Sequence, residues 1–266
     1  MKQKLYWATH IATNSPLLAK HALSVALESR RTQPHKRQQI LVATHHKVLT
    51  VFLARVFRTF ATITGRSWDV KPGNNLDYAR DVLVAHQSLL RWEFLPPGFA
   101  GIHVIRDPRD VLVSSMHYHR KSNERWLQWP VERLGWRTYQ EALNALPNDE
   151  DRLIFEIEGE TGVTIRNMLN WDYNRPGVAE CRYDDLIGEH ALGNFTKVIA
   201  GWDLTDNERV LLRDLFDYFS LGGPGQKKTH IRNPSTGQWR KHFTPRVQDA
   251  FDRAFPGAAA QLGFEE

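Results

Sequence analysis

The chain holds a single cysteine, Cys181, among 266 residues. That excludes an internal disulfide and any metal site built of cysteine alone, and it suits a reducing compartment. No apolar run approaches the ~18–20 residues that cross a bilayer. Lys2 and Lys4 give the start of the chain a basic character, but Thr9, His10, Thr13 and Asn14 interrupt the apolar stretch that a secretory signal needs. The expectation is a soluble, cytoplasmic protein without a membrane span. Internal repeats and low-complexity tracts are absent. So are the glycines of a Walker A loop and the H-E-x-x-H spacing of a zinc site, and the 12 histidines are scattered. No metal is expected.

What is present describes an ordinary globular chain, 41% hydrophobic and 24% charged. Its length fits one large domain, expected to occupy residues 1–266. Lys and Arg number 35 against 30 Asp and Glu, a formal charge of +5. That excess suits an anionic ligand: a nucleotide, a nucleic acid, or a sulfated or phosphorylated small molecule.

Hydrophobic patterning predicts an alternation of helices and short buried strands. Leu17, Leu18, Ala22, Val25 and Ala26 recur at helical spacing after Ser15-Pro16. Ile40–Ala43 is apolar on both faces and reads as a buried strand. A turn at His45-His46-Lys47 then leads into an amphipathic helix carrying Leu49, Phe52, Leu53, Val56 and Phe57. Further strands are predicted at Val82–Ala85, closing on His86, at Gly101–Ile105, closing on Arg106-Asp107-Pro108, and at Val178–Tyr183. Pro108 stops the third strand and opens a helix through Tyr118. Leu204–Phe219 holds an amphipathic helix with Thr205–Glu208 as its capped start. The fold class is therefore α/β, a mainly parallel sheet with helices on both faces. Ligands of such sheets bind beyond the carboxyl ends of the strands, where Lys47, His86 and Arg106 fall.

Two of these segments carry chemistry suited to phosphate or sulfate. In Thr44–Phe52 a strand gives way to a helix across a lysine-bearing turn, so that unpaired N–H groups, the helix dipole and Lys47 face one anion. In His103–Ser115, Arg106 offers a planar fork at a strand end, and Ser114 follows two helical turns later.

Together these segments resemble the sulfotransferases that use 3′-phosphoadenosine 5′-phosphosulfate (PAPS). His46-Lys47-Val48-Leu49-Thr50-Val51-Phe52 is similar to that family's Pro-Lys-Ser-Gly-Thr-Thr-Trp loop, with Leu49 standing where the pattern has glycine. The resemblance assigns Lys47 to the transferring sulfuryl group and its bridging oxygen. It places Thr50 and Val51 at the donor's 5′ end and Phe52 against adenine. Arg106-Asp107-Pro108-Arg109-Asp110 with Ser114 resembles the family's 3′-phosphate motif. Tyr183-Asp184-Asp185-Leu186 resembles Tyr-Glu-Asp-Leu, whose tyrosine contacts adenine. Ile231–Thr244 resembles the loop that closes over the nucleotide, with Arg232 on the 3′-phosphate and Asn233 and Pro234 in place of lysine and glycine. His86 takes the place of the histidine that removes the acceptor's proton. Val84 replaces a lysine that often precedes it by two residues, and His45 or His46 is a candidate to supply a donor instead.

The resemblance covers about residues 40 to 266 in the family's order, and residues 1 to 38 carry no recognisable motif. It implies the P-loop-kinase-like sulfotransferase fold. The implied donor is PAPS, the product is adenosine 3′,5′-bisphosphate (PAP), and the acceptor is a small molecule, glycan or lipid bearing a hydroxyl or, less readily, an amine. Trp126, Trp129 and Trp136 are candidates for an aromatic wall near that acceptor. Gly222–Gln226 with Lys227 and Lys228 reads as a basic loop or lid. Two rival readings fit the same residues: a small-molecule kinase using ATP and Mg²⁺, and a noncatalytic anion- or nucleic-acid-binding protein on a degenerate sulfotransferase fold. Acceptor identity and oligomeric state leave no mark in the sequence.

Overall fold

The computed structural model describes residues 15–31, 37–226 and 235–264. In chain order the elements are α1 (Pro16–Arg31), β1 (Ile40–Ala43), α2 (Thr50–Thr64), β2 (Trp68–Lys71), β3 (Val82–Ala85), β4 (Ala100–Ile105), α3 (Pro108–His119), α4 (Tyr139–Asn144), α5 (Asp149–Glu158), α6 (Glu160–Leu169), β5 (Val178–Arg182), α7 (Ala191–Ile199), α8 (Asp206–Phe219), α9 (Pro245–Ala254) and α10 (Ala258–Gln261). The five strands form one sheet in the order β2-β3-β1-β4-β5, and every neighbouring pair is parallel. This is the expected α/β architecture, a parallel sheet flanked by helices. Among the described residues no helix is long and apolar enough to cross a membrane.

Backbone contacts divide the chain into two compact units. The first comprises the described parts of Met1–Ile105 and Asp172–Pro234 and holds the whole sheet. Its central strands β1, β3 and β4 are buried at every position. A parallel strand covered on both faces needs apolar residues throughout, which explains why the runs Ile-Leu-Val-Ala and Val-Leu-Val-Ala are legible as strands. Leu41, Leu83 and Ala85, which alternation sends to one face, cluster with Leu76 under Tyr78, Leu90, Trp92, Leu95 and Phe99. Helix α2 packs beside β2 and β3 and carries α8, which α1 and α7 cover. Phe216 of α8 stacks on Phe195 of α7 at 4.1 Å, and Phe195 in turn meets Phe57 of α2 edge-on. Each such fully buried side chain contributes roughly 1.5–3 kcal/mol. The predicted capping box at the start of α8 is present: Thr205 accepts the N–H of Glu208, and Glu208 accepts that of Thr205.

The second unit comprises Arg106–Trp171 and the described part of Ser235–Glu266. In it α5 lies among α3, α6 and α9. Its core encloses the fully buried carboxylate of Glu156, which accepts hydrogen bonds from His119 Nδ1, the Tyr139 hydroxyl and the Thr161 hydroxyl.

Several boundaries differ from expectation. The edge strand Trp68–Lys71 escapes the hydrophobic pattern because it alternates polar residues and is only partly covered. Strand β5 ends at Arg182, and Tyr183 opens a short 3-10 turn to Leu186. The Gly222–Gln226 segment is a packed turn. Gly225 donates its N–H to Tyr218 O at 2.8 Å, and a Cβ at Gly225 would collide with the Tyr218 ring. Lys227 and Lys228 lie outside the described residues.

Candidate active site

The turn that follows β1 is built to present backbone N–H groups. Lys47 (φ 63°) and Leu49 (φ 55°) both adopt the left-handed conformation. Such a conformation costs a non-glycine residue roughly 1–2 kcal/mol. Leu49, standing where the resembling pattern has glycine, thus takes a backbone shape that glycine adopts freely. It serves as the N-cap of α2 without a side-chain capping bond, so the first-turn N–H groups remain available to an anion. Lys47 is partly buried, Thr50 lies at the helix start, and Val51 is exposed to 51%. Phe52 is partly buried and meets Phe216 edge-on at 5.0 Å.

His86 lies at the same end of the sheet. The parallel register pairs Ala43 with Ala85, which puts Thr44 and His86 abreast one step beyond the strands. Thr44 donates its N–H to Ala85 O at 2.8 Å, and Ser88 Oγ donates to Thr44 O at 2.9 Å. His86 itself is partly buried, with its N–H donated to Lys71 O. The Thr50 hydroxyl donates to His45 O at 2.8 Å and lies 3.0 Å from Thr44 Oγ1. Lys47, Thr50 and His86 thereby all follow the carboxyl ends of the neighbouring strands β1 and β3. Tyr183 is buried at the end of β5, a strand separated from β1 by β4.

His45 does not supply the supplementary cationic donor. Its ring points inward: His45 is 1% exposed and its Nε2 lies 2.8 Å from Nε2 of His103. His103 Nδ1 lies 2.6 Å from Oε2 of Glu180. Burial, reinforced by neighbouring His103, holds His45 well below the ordinary histidine pKa, and burial pushes His103 down to about 3. Burial thus favours the neutral form of both imidazoles. Val84, at the position of the missing lysine, is fully buried in β3.

In the second unit, the segment Arg106–Asp110 that resembles the 3′-phosphate motif leads into the N-terminus of α3. Asp107 caps the helix by accepting the Arg109 N–H at 2.9 Å, with Pro108 in the first turn as predicted. Arg109 forks onto Asp107 through Nε and Nη2 at 3.0 and 2.8 Å and lies over the Trp239 ring at 3.7 Å. Asp110, 1% exposed, instead accepts the N–H groups of Gly237 and Trp239 at 2.7 and 3.0 Å. Arg106 Nη2 lies 3.9 Å from Asp110 and donates to Ser235 O at 3.3 Å. Ser114 is partly buried. The segment resembling the nucleotide-closing loop is therefore fastened to the turn that carries Arg106. Arg232, Asn233 and Pro234 lie outside the described residues.

The three tryptophans divide. Trp126 packs against His119 and Tyr139 and donates its Nε1–H to Glu124, whereas Trp129 and Trp136 are 59% and 70% exposed. The polar chain His45–His103–Glu180 and the grip of Asp110 were not anticipated. The one signal in the sequence was a histidine inside the otherwise apolar run Gly101–Ile105.

The sequence matches no protein-family model and no curated protein. Solved structures resemble the fold. Mouse sulfotransferase SULT7A1 complexed with PAP superposes with a TM-score of 0.52 at 16% identity, covering 93% of this chain and 92% of that one. Retinol dehydratase in complex with androsterone and the inactive cofactor PAP gives 0.49 at 14% identity, over 93% and 88%. The first of these likenesses shows a sulfotransferase fold.

Proposed function

We propose that this protein is a PAPS-dependent sulfotransferase, passing a sulfuryl group to a hydroxyl of a small-molecule, glycan or lipid acceptor and releasing PAP. The observation that carries the reading is the uncapped, left-handed Lys47–Leu49 turn at the start of α2, at the same sheet end as His86. The residues present fit an anionic donor: a lysine, a helix N-terminus and a sheet-end histidine supply cation, N–H donors and base without requiring a side-chain carboxylate at the turn. The donor, when bound, supplies an activated sulfur with an adenylate phosphate as its leaving group.

The roles follow from charge. Lys47 and the first N–H groups of α2 would offset negative charge at the phosphosulfate and on the departing phosphate oxygen, as cations do in phosphoryl transfer. His86, as a neutral imidazole, would accept the acceptor's hydroxyl proton while that oxygen bonds to sulfur and the sulfur–oxygen bond to the leaving phosphate breaks. The resemblance gives Arg106, Ser114 and Arg232 the 3′-phosphate, with Tyr183 and Phe52 beside adenine. A cytoplasmic location belongs to the same reading.

The test is direct. Purified protein incubated with PAPS and a panel of phenols, sterols and sugars is expected to release PAP in an acceptor-dependent way. Transfer from ATP with Mg²⁺ and none from PAPS would favour the kinase reading. Tight, steeply salt-dependent binding to nucleic acid without transfer would favour the noncatalytic one.

A further inference from the structure

The polar chain behind the Lys47 turn has a fixed direction. An ionised Glu180 only accepts, so His103 donates its Nδ1–H to it. The neutral His103 then has only a lone pair at Nε2, so His45 must donate its Nε2–H there. One tautomer of each ring satisfies both contacts. The chain crosses three neighbouring strands, from Glu180 within β5 through His103 within β4 to His45 just past β1. Glu180 pairs in register with His103. His103 has no exposed side-chain surface, and Glu180 keeps 29% of its own.

His45 is also the knot of the turn. Its carbonyl accepts both the N–H of Val48 at 3.1 Å and the hydroxyl of Thr50 at 2.8 Å. Two left-handed non-glycine residues, Lys47 and Leu49, follow within four positions. Strained conformations of this kind persist only where the surroundings over-determine them. A glycine would adopt the shape freely, but this turn contains none.

We propose that Glu180 and His103 are positioning residues that, through the His45 side chain, lock the Lys47 turn in its anion-binding shape. The tether does the work that a glycine would otherwise make unnecessary. The proposal rests on the reading of the turn as the donor's phosphosulfate site, and it concerns residues for which that reading has no use.

Calorimetric binding of PAP to the full-length protein tests it with four variants. Glu180→Ala, which severs the tether at its partly exposed end, is expected to weaken PAP about tenfold, the worth of one ordered hydrogen-bond chain. Glu180→Gln keeps an acceptor for His103 and is expected to restore most of the affinity. Lys47→Ala weakens binding more, and Lys47→Ala/Glu180→Ala is expected to weaken it by clearly less than the product of the two single losses, because the tether acts partly by placing Lys47. His45→Gln, which leaves the Glu180–His103 pair intact, is expected to match Glu180→Ala, and serves if Glu180→Ala loses its native circular dichroism. Wild-type affinity in Glu180→Ala and His45→Gln, or losses that multiply with that of Lys47→Ala, would overturn the tether while leaving the nucleotide site standing. Failure of the wild type to bind PAP would overturn the site reading itself, and the tether's role with it.

Discussion

Asp110 holds Gly237 by its backbone N–H at 2.7 Å, across 127 positions of sequence. With the N–H of Trp239 on its second oxygen, that one buried carboxylate fastens the Ser235–Trp239 segment to the start of α3. Removing it leaves two N–H donors unmet and deprives Arg106 of a nearby counter-charge. Asp110→Ala is therefore expected to lower stability by about 2–3 kcal/mol in urea unfolding. Asp110→Asn, which retains one acceptor oxygen, should lose less. Wild-type stability in Asp110→Ala would show that the segment is held by other means.

Leu49 pays a conformational cost at φ 55°. Leu49→Gly is expected to leave global stability unchanged or slightly raised, since the relieved strain of roughly 1–2 kcal/mol offsets the lost side-chain packing. Leu49→Val, with a β-branched side chain in the same conformation, should lose about 1 kcal/mol or more. Urea midpoints in the reverse order would mean that the turn relaxes to an ordinary φ.

The buried histidines predict acid sensitivity of definite sign. In the folded chain His103 is pushed down to about 3 and His45 lies well below its ordinary value, both by burial. In the unfolded chain each titrates near 6.5. As pH falls below that value the unfolded state binds protons that the folded state refuses. Stability that is full above about pH 6.5 is then lost by up to about 1.4 kcal/mol per pH unit for each histidine, until His103 itself protonates near 3. Urea unfolding at pH 7.5, 6 and 5 checks this, and a flat profile would contradict neutral, buried imidazoles.

Cys181 is buried in β5, and burial together with Asp185 and Glu180 raises its thiol to about 12. A thiol so placed supplies almost no nucleophilic thiolate. Iodoacetamide at pH 8 is expected to leave the native protein unlabelled by mass spectrometry and to label it once in urea. Rapid labelling of the native form would place this edge of the sheet in solvent.

The central sheet was legible because parallel strands buried on both faces must be apolar throughout, as Ile40–Ala43 and Val82–Ala85 are. Caps at Pro108 and Thr205 were legible for a comparable reason: one residue type satisfies a specific backbone need there. Trp68–Lys71 was not, since a partly covered edge strand tolerates aspartate and lysine. Nor could spacing reveal that His45 turns inward while His46 and Lys47 remain in the turn. That choice is made by His103 and Glu180, which lie 58 and 135 positions away in sequence and meet it only through strand register. The Lys47 turn itself was recognisable by its lysine at a strand-to-helix junction. Its left-handed leucine, however, is visible only in the backbone angles.

The proposed activity requires that the Lys47 turn and the Arg106 segment each serve an adenosine 3′-phosphate nucleotide. Calorimetry with PAP and with AMP, which lacks the 3′-phosphate, reads both in one experiment. The wild type is expected to bind PAP at least roughly tenfold more tightly than AMP, the worth of a charge-assisted phosphate contact. Lys47→Ala should weaken both ligands and Arg106→Ala should erase the preference. Equal affinity for PAP and AMP, or tighter binding of ATP with Mg²⁺ than of PAP, would contradict the assignment.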